Sequence, residues 1–309
     1  MTKEKNFISA VVYVHNDESH ITDFLTMLEN VLKENFEHSE IICVNDHSSD
    51  GSHKKIKEFC KTNTPVSITV LNMSYFHGIE LSMNAGMDLS IGDFVFEFDT
   101  VDVDYDSSEI MNLYRKTQEG FDIVSLSPKN GGGLCSRFFY KLFNDFSDYP
   151  QKLSTETARI LSRRTINRIS SMSKTIPYRK ALYANSGLNT ARIVYKRTNG
   201  SKDSHKGEWR YRRGLAISSL ILFTNVGYRL SIYMAAIMML VAASMVVYSV
   251  AVYFTRTPVE GWTTTILFLS FAFFGLFGVL TVIIKYLQII VNLIFKRKTY
   301  NFENIEKLT

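Results

Sequence analysis

Cysteine is scarce: Cys43, Cys60 and Cys135 are the three in a chain of 309 residues. An odd, widely spaced set excludes a disulfide scaffold and offers no metal spacing. Cys43 lies in an apolar run, so buried free thiols in a reducing cytosol are expected. Charge of either sign is missing from two stretches, Leu230 to Thr255 and Gly261 to Ile284. Each is long enough to cross a hydrocarbon core as a helix, which takes about 20 residues. An apolar leader is missing as well: Met1-Thr-Lys-Glu-Lys5 carries no h-region, so no signal peptide is expected. The net charge of +5 is modest, and the basic residues gather around the apolar runs. That favours a membrane surface over nucleic acid as the partner.

What is present in the first two thirds is alternation. Phe7 to Val14 reads as a strand buried in a parallel sheet, and His15-Asn-Asp-Glu-Ser19 breaks it. Ile21 to Leu32 has helical spacing, Ile41 to Val44 is a second strand, and a helix with Lys54, Lys55 and Lys57 outward follows. Val66 to Leu71, Phe94 to Phe98 and Phe121 to Leu126 are further strands, with a helix from Gly78 to Leu89. This order predicts an α/β fold, a mostly parallel sheet with helices on both faces and ligands at the carboxyl ends of the strands. The polar loops after Val14, Val44 and Phe98 then open on one edge as one site.

The strand Phe94–Phe98 runs into Asp99, Asp102, Asp104 and Asp106. Crowded carboxylates repel one another unless a cation or donor groups sit among them. Oxygen ligands without nearby Cys or His suit Mg²⁺ or Mn²⁺. The alternative is an acidic surface loop. Asp46, at the end of its strand, is placed to accept the N–H of a base such as uracil; the bland reading of Asn45 to Ser52 is a turn and helix cap. Asn130-Gly-Gly-Gly133 is either a loop closing over a ligand or a plain solvent loop. Arg137 to Asn144 is an aromatic helix of the kind that is usually core.

Val44-Asn-Asp-His-Ser-Ser-Asp-Gly-Ser52 resembles the signature of family 2 glycosyltransferases with the GT-A fold. Gly78 to Asp88, followed by Gly92-Asp93, is similar to that family's glycine-bearing helix leading to the metal strand. The resemblance implies a nucleotide sugar held by Val14, Asn16, Glu18, Asn45, Asp46, Gly78 and Asp99. It implies a metal held by Asp99 with Asp102, and Asp104 behind it. The chain departs from the family's Asp-x-Asp at Val101, and from its first signature aspartate at Asn45. Arg137 to Asn144, Glu156 to Arg164 and Tyr195 to Lys202 resemble segments of polyprenyl-phosphate glycosyltransferases. From these, Lys129, Arg159, Arg197, Ser201 and Lys202 are expected at the acceptor phosphate, and Asp99, Asp102 and Arg159 in catalysis.

The expected organisation is a cytoplasmic GT-A catalytic domain over residues 1–204 and interfacial amphipathic helices over 205–229. Two membrane helices, near 230–255 and 261–284, and a basic tail complete it. Positive charge at Arg210 to Arg213, Arg229, Lys285 and Lys296 to Lys298 places both ends on the cytoplasmic face of an inner membrane. Gly275 and Gly278 suit close helix packing or homo-oligomer formation, or are a chance pair. The expected activity is inverting transfer of one sugar from a nucleotide diphosphate, UDP-linked, to a polyprenyl (undecaprenyl) phosphate. The alternatives are transfer to a glycan hydroxyl in wall or capsule synthesis, with Glu156 or Asp106 as general base, and a degenerate domain that binds without turnover.

Overall fold

The computed structural model describes residues 3–61, 65–129, 131, 133–147, 151–172, 178–198, 209–224, 226 and 302–307, with separate helical residues between 233 and 290. The chain divides into two compact units. One comprises Met1–Asn144, Tyr149–Leu215 and Arg297–Thr309; the other comprises Asp145–Asp148 and Ala216–Lys296.

The first unit is built on an eight-stranded sheet. Its strands are β1 (Ile8–Val14), β2 (Ser39–Asn45), β3 (Ser67–Met73), β4 (Phe94–Phe98), β5 (Ile123–Pro128), β6 (Ala158–Ser162), β7 (Thr190–Tyr195) and β8 (Phe302–Lys307). The order is β7-β5-β6-β4-β1-β2-β3-β8. β1 pairs in parallel with β2 and β4, β2 with β3, and β5 with β7. β6 runs antiparallel between β4 and β5, and β8 runs antiparallel to β3. All seven residues of β1 are buried, as a strand covered on both faces requires.

One face of the sheet is a dry core. Ala10, Val12, Ile41, Cys43, Phe96 and Phe98 pack there against Phe24, Leu25 and Leu28 of α1 (Ile21–Asn35). Ile56 of α2 (Ser52–Cys60) and Ile110, Leu113 and Tyr114 of α4 (Ser108–Gln118) complete it. The opposite face carries α3 (Ile79–Leu89). A Cβ at Gly86 would lie 2.4 Å from Val11 Cγ1 and 2.6 Å from Val44 Cγ2, so only glycine lets α3 press this closely on β1 and β2. α7 (Arg179–Asn185) lies on this second face too, because its Arg179 reaches Glu97 of β4.

Three features differ from expectation. β6 interrupts the parallel sheet, and its single backbone direction is not encoded in an apolar run. The tail expected as a basic extension supplies β8, which covers the edge of β3 that would otherwise expose unpaired backbone groups. The aromatic helix α5 (Leu134–Phe146) is not wholly core: Phe143 is buried, but Leu134 and Phe138 are 84% and 68% exposed.

α8 (Trp209–Phe223) lies inside the expected juxtamembrane segment. Among the described residues no helix is long and apolar enough to cross a membrane. The expected spans fall mostly outside the described residues. Those of the second unit that are described are helical, and Tyr233, Ile237, Leu240, Phe273, Leu276 and Leu280 among them are exposed. Within that unit a Cβ at Gly278 would lie 2.5 Å from Met234 Cε, the flexible end of a side chain.

All three cysteines are free, but only Cys43 and Cys60 are buried. Burial, with Glu29 near it, pushes the Cys60 thiol up to about 11, and burial raises Cys43 further. A thiol reagent at pH 8 is therefore expected to label Cys135 quickly in the native protein, with Cys43 and Cys60 reacting only after denaturation. Mass spectrometry of the labelled peptides checks this.

Candidate functional site

The strand order 3-2-1-4 opens a crevice beyond the carboxyl ends of β1 and β4. Side-chain hydrogen bonds stitch the loops there together. Asn16 is left-handed, with φ 56°, and its Oδ1 accepts the Ser49 N–H at 2.8 Å. Its own N–H donates to Ser48 Oγ at 3.1 Å. Glu18 N–H donates to Asp50 Oδ2 at 3.0 Å, and Glu18 Oε2 accepts the Gly51 N–H at 3.0 Å. Asp17, buried, donates its N–H to Ser52 Oγ at 2.8 Å. Asn45 donates to Asn72 Oδ1 at 2.8 Å and accepts the Ser48 N–H at 3.2 Å. Val14 is fully buried and offers its carbonyl to the Asp46 N–H at 2.9 Å. The expected convergence of the loops after β1 and β2 is thus what the fold provides.

Asp46 is fully buried. Its Oδ1 accepts the His77 N–H at 2.8 Å, and its Oδ2 accepts the Gly78 N–H at 2.7 Å and the Tyr13 hydroxyl at 3.1 Å. The carboxylate expected to meet a base N–H is spent on the protein's own donors, where it pins the loop from β3 to α3. Gly78, at φ 82°, needs to be glycine twice over, since a Cβ would also lie 2.0 Å from the Tyr211 ring of α8. Phe76 meets the same ring edge-on, with centroids 5.6 Å apart.

Behind the crevice lies a buried ionic cluster that joins two strands and two helices. The register sets Glu97 of β4 opposite Arg159 of β6. Arg159 Nη1 donates to Glu97 Oε2 at 2.7 Å and Nη2 to Asp99 Oδ2 at 2.8 Å. Arg179 mirrors it, donating from Nη1 to Glu97 Oε1 at 2.9 Å and from Nη2 to Asp99 Oδ1 at 2.8 Å. Arg179 Nε also reaches Glu80 Oε2 of α3 at 3.0 Å, and the Tyr183 hydroxyl donates to Glu97 Oε1 at 2.8 Å. Burial alone would raise the Asp99 pKa, but Arg159, Arg179 and Lys180 outweigh it and hold the carboxyl well below the usual range. Burial would likewise lower both guanidinium pKa values, and the carboxylates reverse that. Glu97, Arg179 and Glu80 were not among the expected residues. A lone glutamate inside the apolar Phe94-Val-Phe-Glu-Phe98 run was the available signal, because a charge on a core strand needs a partner.

This cluster bears on two expectations. Arg159, 1% exposed, is engaged by Glu97 and Asp99 as a counter-ion within the core. The expected metal ligands are engaged by protein partners. Both Asp99 oxygens are taken by guanidinium groups, and Asp102 Oδ1 lies 3.6 Å from His20 Nδ1. Asp104 accepts the Tyr195 hydroxyl, and its Oδ2 lies 2.8 Å from Arg197 Nε. Among the described residues no group of three or more His, Cys, Asp or Glu is arranged to hold a metal. Each Asp99 oxygen already accepts from an arginine and the other two acids face different elements, so Mg²⁺ or Mn²⁺ would require these acids to regroup.

The rim of the crevice is basic and open. Lys129 follows β5, is exposed, and donates its backbone N–H to the Tyr195 carbonyl at 2.9 Å. Arg197 follows β7 with 40% of its side chain exposed. Parallel pairing of β5 and β7 puts both at one end of the sheet. Ser201 and Lys202 lie outside the described residues. Of the two acids offered as general base, Glu156 Oε2 sits 3.3 Å from Arg159 Nε. Asp106 accepts the Ser108 N–H at 2.9 Å at the start of α4.

Comparison with known proteins adds the following. The model of the glycosyl transferase family 2 matches residues 9–175. An uncharacterized glycosyltransferase of Synechocystis sp. is 25% identical over 76% of this chain and 75% of its own. A bactoprenol glucosyl transferase of Shigella phage SfX is 25% identical over 85% of this chain and 88% of its own. Among solved structures, a mannosyltransferase from Pyrobaculum calidifontis, in complex with GDP-Man and Mn²⁺, superposes with a TM-score of 0.50. It is 15% identical and covers 90% of this chain and 88% of that one, a likeness of fold of the GT-A kind.

Two outcomes follow from the cluster. Arg179→Ala leaves Glu80 and Glu97 buried with too little positive charge, and is expected to cost about 3–5 kcal/mol. Arg179→Lys keeps the charge but not the fork and restores only part. Urea midpoints at pH 7 measure both. The second outcome concerns acid. Because the folded Asp99 pKa is depressed, its contribution to stability is fully present above the unfolded value of about 3.9 and fades as pH falls towards the folded value. Asp99→Asn should therefore flatten the fall of the melting temperature between about pH 5 and pH 2, after subtracting its uniform loss at pH 7.

Proposed function

The chain belongs to the glycosyl transferase family 2 and is a glycosyltransferase; from that premise we propose that it moves one sugar from a UDP-linked donor to a polyprenyl phosphate at a membrane surface. The observation that carries this reading is the reach of the likeness to the bactoprenol glucosyl transferase. It covers 85% of the chain, well beyond the family match at residues 9–175, and so takes in at least the first apolar segment.

Physical features support the same reading. Leu134 and Phe138 are exposed on α5 beside exposed Arg137 and Lys141, a pairing of apolar and basic groups suited to a bilayer interface. Tyr211 of the basic juxtamembrane helix packs on Gly78, so the loop expected at the donor is tied to the segment leading into the apolar runs. β8 supports a topology with both ends on one side. A strand hydrogen-bonded to β3 shares a compartment with the sheet, so the chain between them crosses a bilayer an even number of times. The proposed location is the inner membrane with the sheet and both termini cytoplasmic.

In the proposed reaction a phosphate oxygen of the lipid attacks the anomeric carbon. The new carbon–oxygen bond forms as the bond to the nucleotide diphosphate breaks, with inversion at that carbon. The attacking oxygen is already anionic at neutral pH, so no strong base is needed and the chain's task is positioning and charge stabilisation. Lys129 and Arg197 at the open rim are the residues assigned to the lipid phosphate. Asn16, Glu18, Asn45 and Asp46 shape the donor crevice through the backbone they hold. Arg159 and Arg179 fix Asp99 at its floor.

The test is purified protein in detergent with undecaprenyl phosphate, a panel of UDP-sugars, and Mg²⁺, Mn²⁺ or EDTA, read by mass spectrometry of the lipid. Gain of one hexose or N-acetylhexosamine on the lipid phosphate is expected. Release of UDP with no lipid product would overturn the acceptor and favour a glycan hydroxyl. Lys129→Gln should lower product formation about tenfold or more at fixed lipid, corresponding to loss of one charge-assisted contact.

A further inference from the structure

A cavity of about 260 Å³ opens on the sheet face that carries α7, away from the strand-end crevice. Its floor includes Ser125 of β5 and Arg192 of β7, which are register partners. Lys152, Glu156, Arg159 and Lys180 line it as well. Ser125 lies four residues before Lys129, about 13 Å along the strand at about 3.3 Å per residue. The cavity is therefore separate from the basic rim assigned to the lipid phosphate.

Its electrostatics are unbalanced. Glu156 is the single acid on its walls, and its carboxylate is already beside Arg159 at 3.3 Å. Lys152, Lys180 and Arg192 form no ion pair among the described residues. Arg192 Nη2 donates to the Lys152 carbonyl at 2.8 Å, which fixes the guanidinium at the mouth. Lys180 Nζ is 3.4 Å from the Tyr140 hydroxyl. Burial works to lower the Lys180 pKa, but Tyr140 and Glu156 outweigh it, so the ammonium keeps its proton. A second, independent feature is a donor left over. Arg159 is 1% exposed, and its Nε is buried without a hydrogen-bond partner. Glu156 Oε2 is close enough for charge contact but out of line for a hydrogen bond. Buried donors of this kind are rare and costly, and they mark places where a ligand or ion completes the structure.

We propose that this cavity is a binding site for a small phosphate-type dianion, held by Lys152, Lys180 and Arg192 with the Ser125 hydroxyl. Its volume is below the range of about 300–1,000 Å³ usual for drug-sized ligands, so the occupant is phosphate itself or a short phosphate ester, not a nucleotide sugar. The occupant sits against Arg159, whose other nitrogens hold Glu97 and Asp99. Binding here is thereby linked to the floor of the donor crevice through one side chain.

The experiment is calorimetric titration of inorganic phosphate into the full chain in detergent at 0.15 M chloride. The wild-type protein is expected to bind at one site. Lys152→Ser combined with Arg192→Gln is expected to weaken binding at least tenfold, and Lys55→Gln, at an exposed position on α2, to leave it unchanged. Lys152 and Arg192 are exposed, so the variant is expected to melt at the wild-type temperature without phosphate. If the pair does not fold, Lys152→Ser alone serves, with a smaller loss. Absence of binding by the wild-type chain, equal affinity in the variant, or equal loss in Lys55→Gln would each overturn the site. These outcomes are independent of sugar transfer, because no donor or lipid is present.

Discussion

The pairing of two buried guanidinium groups with one buried and one half-buried carboxylate is the constraint from which the rest of the site follows. Glu97 lies on β4 and Asp99 one residue past its end, and both meet the same two arginines. Arg159 comes from the antiparallel neighbour β6 and Arg179 from the helix above. Neither carboxylate could be taken from water alone, and neither arginine could be. Together, with nearly every oxygen and nitrogen engaged, they form a network in which removal of one member leaves an uncompensated charge. Glu80 extends the network to α3, which starts at the donor loop. The cluster thus ties β4, β6, α3 and α7 into one rigid floor.

A consequence is a division of labour among the acids. In a crevice for the proposed anionic donor, carboxylates are unfavourable unless something cancels them. Here the cancellation comes from within the fold: arginines for Glu97 and Asp99, Arg197 and Tyr195 for Asp104, and backbone donors for Asp46. What remains open to a ligand is the rim, where Lys129 and Arg197 are exposed. Positive potential is left where a phosphate would arrive, and the negative charges serve as internal struts.

The edges of the sheet tell a related story. A parallel sheet leaves unpaired backbone at its flanks, and β3 is covered by β8 from the far end of the sequence. β8 meets Met73 just before the loop that Asp46 pins, and Tyr211 packs on Gly78 at the end of that loop. Segments on either side of the apolar runs therefore converge on one loop of the first unit. β7, at the opposite edge, carries Arg192 and a wall of the basic cavity.

Local patterning in the sequence determined a good deal. Apolar runs and helical spacing marked β1 to β5 and α1 to α3, because burial on one or two faces leaves a periodic trace in the chain itself. The convergence of the loops after Val14 and Val44 was legible for the same reason, since parallel strands must deliver their polar ends to one edge. Asp99 was legible as a site residue, but its arginine partners were not. Whether a carboxylate meets a metal or an arginine depends on residues 60 and 80 positions away, and no local pattern carries that information. β6 and α7 contribute to the site through Arg159 and Arg179, whose burial only the packed sheet reveals. β8 is a short polar strand that holds its place by backbone pairing with β3, an interaction that any side-chain sequence can make. Periodicity records what a segment buries; tertiary structure alone decided which charges face each other, because pairing energy depends on distance in space and not along the chain.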